Sequence, residues 1–108
     1  MRRAAKVDAN QSEMVADLRA CGVSVQPLHS VGGGVPDLLC GFRGRNVLIE
    51  VKDGSKPPSA RKLTKDQVEW HGAWRGQVAV AKNTEEALAI LGLDAPEDSD
   101  AIPTGWLG

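Results

Sequence analysis

Asp37, Glu50 and Lys52 are the residues whose types and spacing best fit chemistry on a substrate. Glu50 and Lys52 stand two apart in the run Asn46-Val-Leu-Ile-Glu-Val-Lys52. Strand side chains alternate between faces, so Val47, Ile49 and Val51 share one face while Leu48, Glu50 and Lys52 share the other. Two charged groups thus emerge together from a strand otherwise suited to a core. Upstream, Asp37 to Phe42 is a second β-rich run, and Arg43-Gly44-Arg45 between the two is a hairpin signal. An even loop of two or four residues pairs Phe42 with Arg45 and Asp37 with Glu50.

Directly opposed residues hold their Cβ atoms about 4.5–5.5 Å apart. Two carboxylates at that separation repel unless a cation lies between them or one carries a proton. Magnesium takes one or two carboxylates and completes its shell with water and phosphate oxygens. A lysine on the same face adds a donor for a water or a phosphate. The pattern permits a metal-assisted hydrolytic site, although a slip of one residue would dissolve it. A salt-linked edge of an ordinary sheet contains the same residue types.

The elements that must position these groups follow from periodicity and punctuation. Residues 8–21 read as a helix capped by Asp8 or Asn10, with Met14, Val15, Leu18 and Cys21 on one stripe and Gly22 as its stop. Val23 to Leu28 alternates like a short strand. Gly32-Gly33-Gly34 breaks the chain, and Pro36 defers the next strand to about Asp37. Residues 53–62 form a polar loop containing Pro57 and Pro58. Thr64-Lys-Asp-Gln67 has capping-box spacing, with Leu63 and Val68 at the staple positions, and opens a helix to about Trp74. Gln77 to Ala81 is a further strand, and Asn83-Thr-Glu-Glu86 is a second capping box that opens a helix ended by Gly92. The order α-β-β-β-α-β-α describes one α/β domain over residues 1–92, a mixed sheet flanked by helices, followed by an acidic tail over 93–108.

Composition agrees. The chain has 108 residues, 42% hydrophobic and 25% charged, the balance of a single globular domain. Its apolar runs are far shorter than the roughly 20 residues of a membrane span. Met1-Arg2-Arg3 is basic but no apolar stretch follows, and Cys21 and Cys40 are too few for a disulfide scaffold. The expectation is a cytoplasmic protein with two buried thiols. The net charge of -1 is uneven: the tail holds Asp94, Glu97, Asp98 and Asp100, leaving 13 basic and 10 acidic groups in residues 1–92. Lys52, Lys56, Arg61, Lys62 and Lys65 fall within one short stretch that contains a single carboxylate near its start, Asp53. Such a stretch fits a phosphate-backbone footprint, and equally a solvated loop.

Pro36-Asp37, twelve intervening residues and Glu50-Val51-Lys52 resemble the PD-(D/E)XK nuclease superfamily. With the glycine run before Pro36 and the Thr64 to Gln67 helix start, residues 8–91 resemble its virus-type replication-repair nuclease branch, the VRR-NUC domain. The resemblance implies a restriction-endonuclease-like fold and a magnesium- or manganese-dependent DNA endonuclease. Asp37 and Glu50 would then be metal ligands, with the Val51 carbonyl as a backbone ligand and Lys52 as the catalytic lysine. Glu13 matches the family's additional acidic residue, although Asn10 to Glu13 also has capping-box spacing. Gln67 matches its helix glutamine near the site, although a capping role explains that residue too. Gly33 and Gly34 would allow close backbone approach, to DNA or within a turn, and Lys56, Arg61, Lys62 and Lys65 would face the DNA backbone.

The resemblance further implies nicking or branched-DNA (four-way, Holliday-type) resolution in a phage or bacterial setting. Paired cuts at a junction would call for a homodimer, with no membrane partner and no small-molecule cofactor. Trp70 and Trp74 are expected in the core, with Trp106-Leu107 against a partner or folded back on the domain. His29 and His71 make no zinc spacing with Cys21 and Cys40. The alternatives are a catalytically idle DNA-binding module of the same fold and a small α/β interaction protein.

Overall fold

A computed structural model describes residues 9–93. Three helices and four strands follow the expected order: α1 (Ala9–Ala20), β1 (Ser24–Pro27), β2 (Leu38–Phe42), β3 (Arg45–Val51), α2 (Lys65–Ala73), β4 (Val78–Ala81) and α3 (Thr84–Leu91), with a short 3-10 turn at Pro58–Ala60. The strands lie in the order β1-β2-β3-β4. The first three are antiparallel and β4 runs parallel to β3, so α2 is the crossover of a βαβ unit in a mixed sheet. Asp8 and the tail beyond Leu93, with Trp106 and Leu107, lie outside the described residues.

The hairpin register is set by its turn. Arg43 and Gly44 both have positive φ, 53° and 79°, as a two-residue type I′ turn demands, and Phe42 pairs with Arg45. Leu38 then faces Ile49 and Leu39 faces Leu48. One sheet face, with Leu38, Cys40, Val47, Ile49, Val51 and Ala81, joins Met14 and Leu18 of α1 and Ala87 and Leu91 of α3 in a single core. Leu38 and Ile49 have no solvent exposure, and truncating such a residue to Ala costs about 2–5 kcal/mol. Arg43 and Arg45 reach back from the hairpin to the carbonyls of Gly92 and Ile90 at 2.9 and 3.0 Å. They satisfy acceptors that the last turn of α3 leaves open.

The second sheet face carries the row Leu39, Leu48 and Val78, and beside it Glu50 and Val80. Helix α2 lies over this face, because its Gln67 bonds Glu50. None of its side chains is fully buried. Trp70 is half-buried and Trp74 is 45% exposed, stacked with ring centroids 4.6 Å apart, so neither tryptophan joins the core as the sequence predicts.

Three local expectations are corrected. Cys21 is exposed past the end of α1, where Gln11 rather than Cys21 extends the buried stripe of Met14 and Leu18; only Cys40 is a buried thiol. Asn10 sits inside α1 and donates to the Lys52 carbonyl at 3.1 Å instead of capping the helix. Asn83 caps α3, but Glu86 accepts from the Lys82 N–H at 2.8 Å, one residue earlier than a capping box requires. No helix among the described residues is long and apolar enough to cross a membrane.

Candidate active site

Asp37 is the residue before β2, and its main chain is pinned because its carbonyl accepts the Leu28 N–H at 2.7 Å. Its carboxylate reaches over β3 and accepts the Val51 N–H at 2.8 Å. This contact continues the hairpin one step beyond the Leu38–Ile49 pair and sets Asp37 against Glu50. Glu50 is 3% exposed, on β3, one of the two inner strands of the sheet. Burial, then repulsion from Asp37 and a carboxyl–carboxyl hydrogen bond, push its pKa up to about 8, with Lys52 acting in the other direction. The Glu50 carboxyl therefore holds its proton at neutral pH and can donate it to Asp37. Once ionised, its buried Oε1 has no hydrogen-bond donor among the described residues.

Gln67 joins the remaining groups. Its Nε2 donates to Glu50 Oε2 at 3.0 Å, and its Oε1 accepts from Lys52 Nζ at 3.0 Å and from the Thr64 N–H at 2.9 Å. Thr64 Oγ1 accepts the Gln67 N–H in return, which closes the capping box. Capping and site contact, alternatives in the sequence, are thus performed by one side chain at once. Lys52 Nζ lies 3.7 Å from Glu50 Oε2, and the lysine side chain is 14% exposed. A lysine held between a carboxyl group and a neutral amide oxygen keeps donor capacity for a further acceptor.

The glycine loop positions α2. Gly32, Gly33 and Gly34 all have positive φ, and a Cβ on Gly34 would fall on the backbone carbonyl of Asp66 in the first turn of α2. Close approach at Gly34 is thus made to the helix that carries Gln67. Gly33 faces open space.

Glu13 is exposed on α1, and no group of three His, Cys, Asp or Glu side chains able to hold a metal occurs among the described residues. Asp37 and Glu50 therefore form a pair without Glu13. The tie from α1 to the site is instead Asn10, which the sequence offered only as a cap. The Val51 side chain is in the core and its N–H serves Asp37.

The basic stretch divides. Asp53 Oδ1 accepts the Ser55 N–H and hydroxyl at 2.9 and 2.7 Å, and Arg61 Nε donates to the Lys56 carbonyl at 2.8 Å, so Arg61 braces its own loop. Lys65 pairs with Glu69 on the surface of α2 at 2.9 Å. Lys56 and Lys62 are exposed. The sequence also passed over His71, one turn beyond Gln67, whose Nε2 is buried. A groove between α1 and β1, lined by Gln11, Ser12, Val15, Arg19, Pro27 and His29, includes none of these residues. Comparisons with protein-family models, curated proteins and solved structures find no match to this chain.

Proposed function

We propose that the protein is a metal-dependent endonuclease that hydrolyses DNA phosphodiester bonds, as its resemblance to the VRR-NUC branch of the PD-(D/E)XK nucleases implies. The observation that carries this reading is the pairing of half-buried Asp37 with buried Glu50, with Lys52 beside them and Glu50 Oε1 lacking a donor among the described residues. Two carboxyl groups forced together in a poorly hydrated place are short of positive charge, and a hard divalent cation supplies it. Asp37 and Glu50 would hold magnesium, or manganese in its place, and two carboxylates meet the protein share that magnesium commonly uses. When bound, the cation would stabilise charge on the phosphate oxygens and acidify a coordinated water.

The residues of the chain then divide the work. Lys52 donates toward the attacking water or the scissile phosphate and offsets negative charge there. Gln67 holds the Lys52 ammonium and the Glu50 carboxyl in fixed relation, and Asn10 anchors the backbone at Lys52. Exposed Lys56 and Lys62 suit the DNA backbone, and the small domain favours structure-selective cutting, by nicking or at branched junctions, over a long recognition sequence. We also read the protein as a cytoplasmic homodimer, which would place two cuts by two-fold symmetry. The apolar side chains left exposed at Leu39, Trp74 and Val80 support a covered face.

A cleavage panel of single-stranded, duplex, flap and four-way-junction DNA, with and without magnesium, tests the reading. Magnesium-dependent cutting that Asp37→Asn abolishes supports it. Salt-dependent binding without cutting would favour the idle DNA-binding module, and neither binding nor cutting would favour the interaction protein.

A further inference from the structure

The groove between α1 and β1 lies apart from the groups around Glu50 and Lys52. It holds about 260 Å³ between Gln11, Ser12, Val15, Arg19, Pro27 and His29. That is just below the roughly 300–1,000 Å³ of pockets for drug-sized ligands, so it suits a small molecule or one unit of a chain. Gln11 is its informative residue. The side chain is 7% exposed, yet its carboxamide makes no hydrogen bond among the described residues, and neither of its polar atoms is sealed from solvent. The amide therefore opens onto the groove with donor and acceptor both free. A largely buried amide that no protein group satisfies is a cost to the fold, and an apolar residue would serve the Met14 and Leu18 stripe better.

The surroundings narrow the ligand. β1 is an edge strand, but it is blunted against a further strand. Pro27 has no N–H, its carbonyl accepts Gln26 Nε2 at 3.3 Å, and the Val25 carbonyl accepts Arg19 Nη2 at 2.9 Å. No carboxylate lines the groove, whereas Arg19 spends only one of its five N–H donors on Val25, and Ser12 and His29 stand exposed at the rim. Val15 and Pro27 supply apolar walls. Gln11 and Arg19 are two turns apart on α1, about 12 Å along its axis.

We propose that this groove binds a nucleotide, with Gln11 reading the edge of the base and Arg19 holding the phosphate. A carboxamide sets a donor beside an acceptor, the pattern by which Gln meets the N7 and N6 edge of adenine. The flat face of the base packs on Val15 and Pro27. A guanidinium matches a phosphate by paired N–H donors, and the Gln11-to-Arg19 spacing suits the two ends of a nucleoside monophosphate. The occupant is a free nucleotide or an unpaired nucleotide of a DNA strand, since both present the same groups. The proposal does not rest on the nuclease reading.

The test titrates dAMP to millimolar concentration into the full-length protein without added metal and follows the side-chain amide 1H–15N signals of Gln11 and Gln67. The Gln11 pair should move and the Gln67 pair should stay. Gln11→Leu should melt no lower than the wild type and bind dAMP on the order of tenfold more weakly. Arg19→Gln should weaken dAMP binding and leave that of deoxyadenosine unchanged. A Gln11 pair unmoved by dAMP overturns the proposal, as does movement of Gln67 alone, which would seat the nucleotide beside Glu50. An equal response to inorganic phosphate would reduce the groove to an anion site and overturn it too. A duplex with a single-stranded adenine extension, compared with a blunt duplex, identifies the source. Movement of the Gln11 pair by the extended duplex alone assigns an unpaired nucleotide of DNA, and movement by dAMP but neither duplex assigns a free nucleotide; both uphold the site. A protein that binds dAMP at Gln11 yet cuts no DNA would sink the nuclease reading and keep this one.

Discussion

The carboxylate of Asp37 accepts the N–H of Val51 at 2.8 Å, one residue beyond the place where the β2–β3 ladder would set Asp37 against Glu50. The hairpin thus uses its last cross-strand contact to fix a carboxylate rather than to extend the sheet. Asp37 keeps a second oxygen for other partners. Asp37→Asn should retain the fold, because an amide oxygen can still accept the Val51 N–H, but should lose cation binding. Millimolar manganese should raise the melting temperature of the wild type and leave Asp37→Asn unmoved, since a ligand that binds only the folded state stabilises it. Equal shifts in the two proteins would remove Asp37 from the metal site.

Glu50 predicts how stability changes with pH in the metal-free protein. Its carboxyl titrates near its ordinary value of 4.5 when unfolded and at about 8 when folded. Between these values the folded state binds more protons, so stability is complete below about 4.5 and is lost as pH rises through about 8. Denaturant melts from about pH 5 to about pH 8.5 should show this decline, and Glu50→Gln should flatten it. Cation binding must displace the same proton, so manganese affinity should rise over the same range. A wild type whose stability climbs with pH would contradict the burial of Glu50.

Thr64 and Gln67 separate capping from site geometry. Thr64→Ala removes a cap acceptor and should cost about 1 kcal/mol of stability with little effect on cleavage. Gln67→Ala removes the cap partner and frees both Glu50 and Lys52, so cleavage should fall far more than stability explains. Comparable cleavage by the two variants would reduce Gln67 to a capping residue.

For Lys52, cleavage and binding should part. Lys52→Ala should cut kcat on the order of 100-fold or more while DNA affinity stays within about threefold, because one contact is a small share of an electrostatic footprint. Replacing Lys56 and Lys62 together by Gln should do the reverse and flatten the salt dependence of binding by up to about 2 in slope. Arg61 is left intact because it braces the loop. An unchanged salt slope would turn this loop away from DNA.

The homodimer rests on mass. Light scattering at micromolar concentration should return twice the chain mass of 11.5 kDa for the full chain. A chain truncated after Leu93 should likewise give twice its own mass if the exposed sheet face is the contact. A monomer would leave simple nicking as the better account.

Local signals of short range carried most of the architecture. Arg43-Gly44 fixed the hairpin because a two-residue turn leaves only one register, and Thr64-x-x-Gln67 marked the start of α2 because both partners of a capping box lie within four residues. The Asp37–Glu50 opposition followed from that turn alone. What depended on tertiary placement was hidden. Nothing in the Gly32 to Gly34 run says that Gly34 meets Asp66, and Asn10 looked like a cap because its acceptor, the Lys52 carbonyl, is 42 residues away. Trp70 and Trp74 have the composition and spacing of a core stripe, yet α2 leaves them half-open.

That shallow seating of α2 divides the domain into a stiff end and a yielding one. At the hairpin end, Arg43 and Arg45 latch α3 over a dry core. At the other end, α2 carries Gln67 and His71 yet buries no side chain fully, so it is the element held least by apolar contact. Opening α2 would uncover Glu50, otherwise 3% exposed, and give a phosphate its approach. Amides of α2 should therefore exchange with solvent before those of β3, and any ligand that bridges Glu50 and Lys52 should slow them.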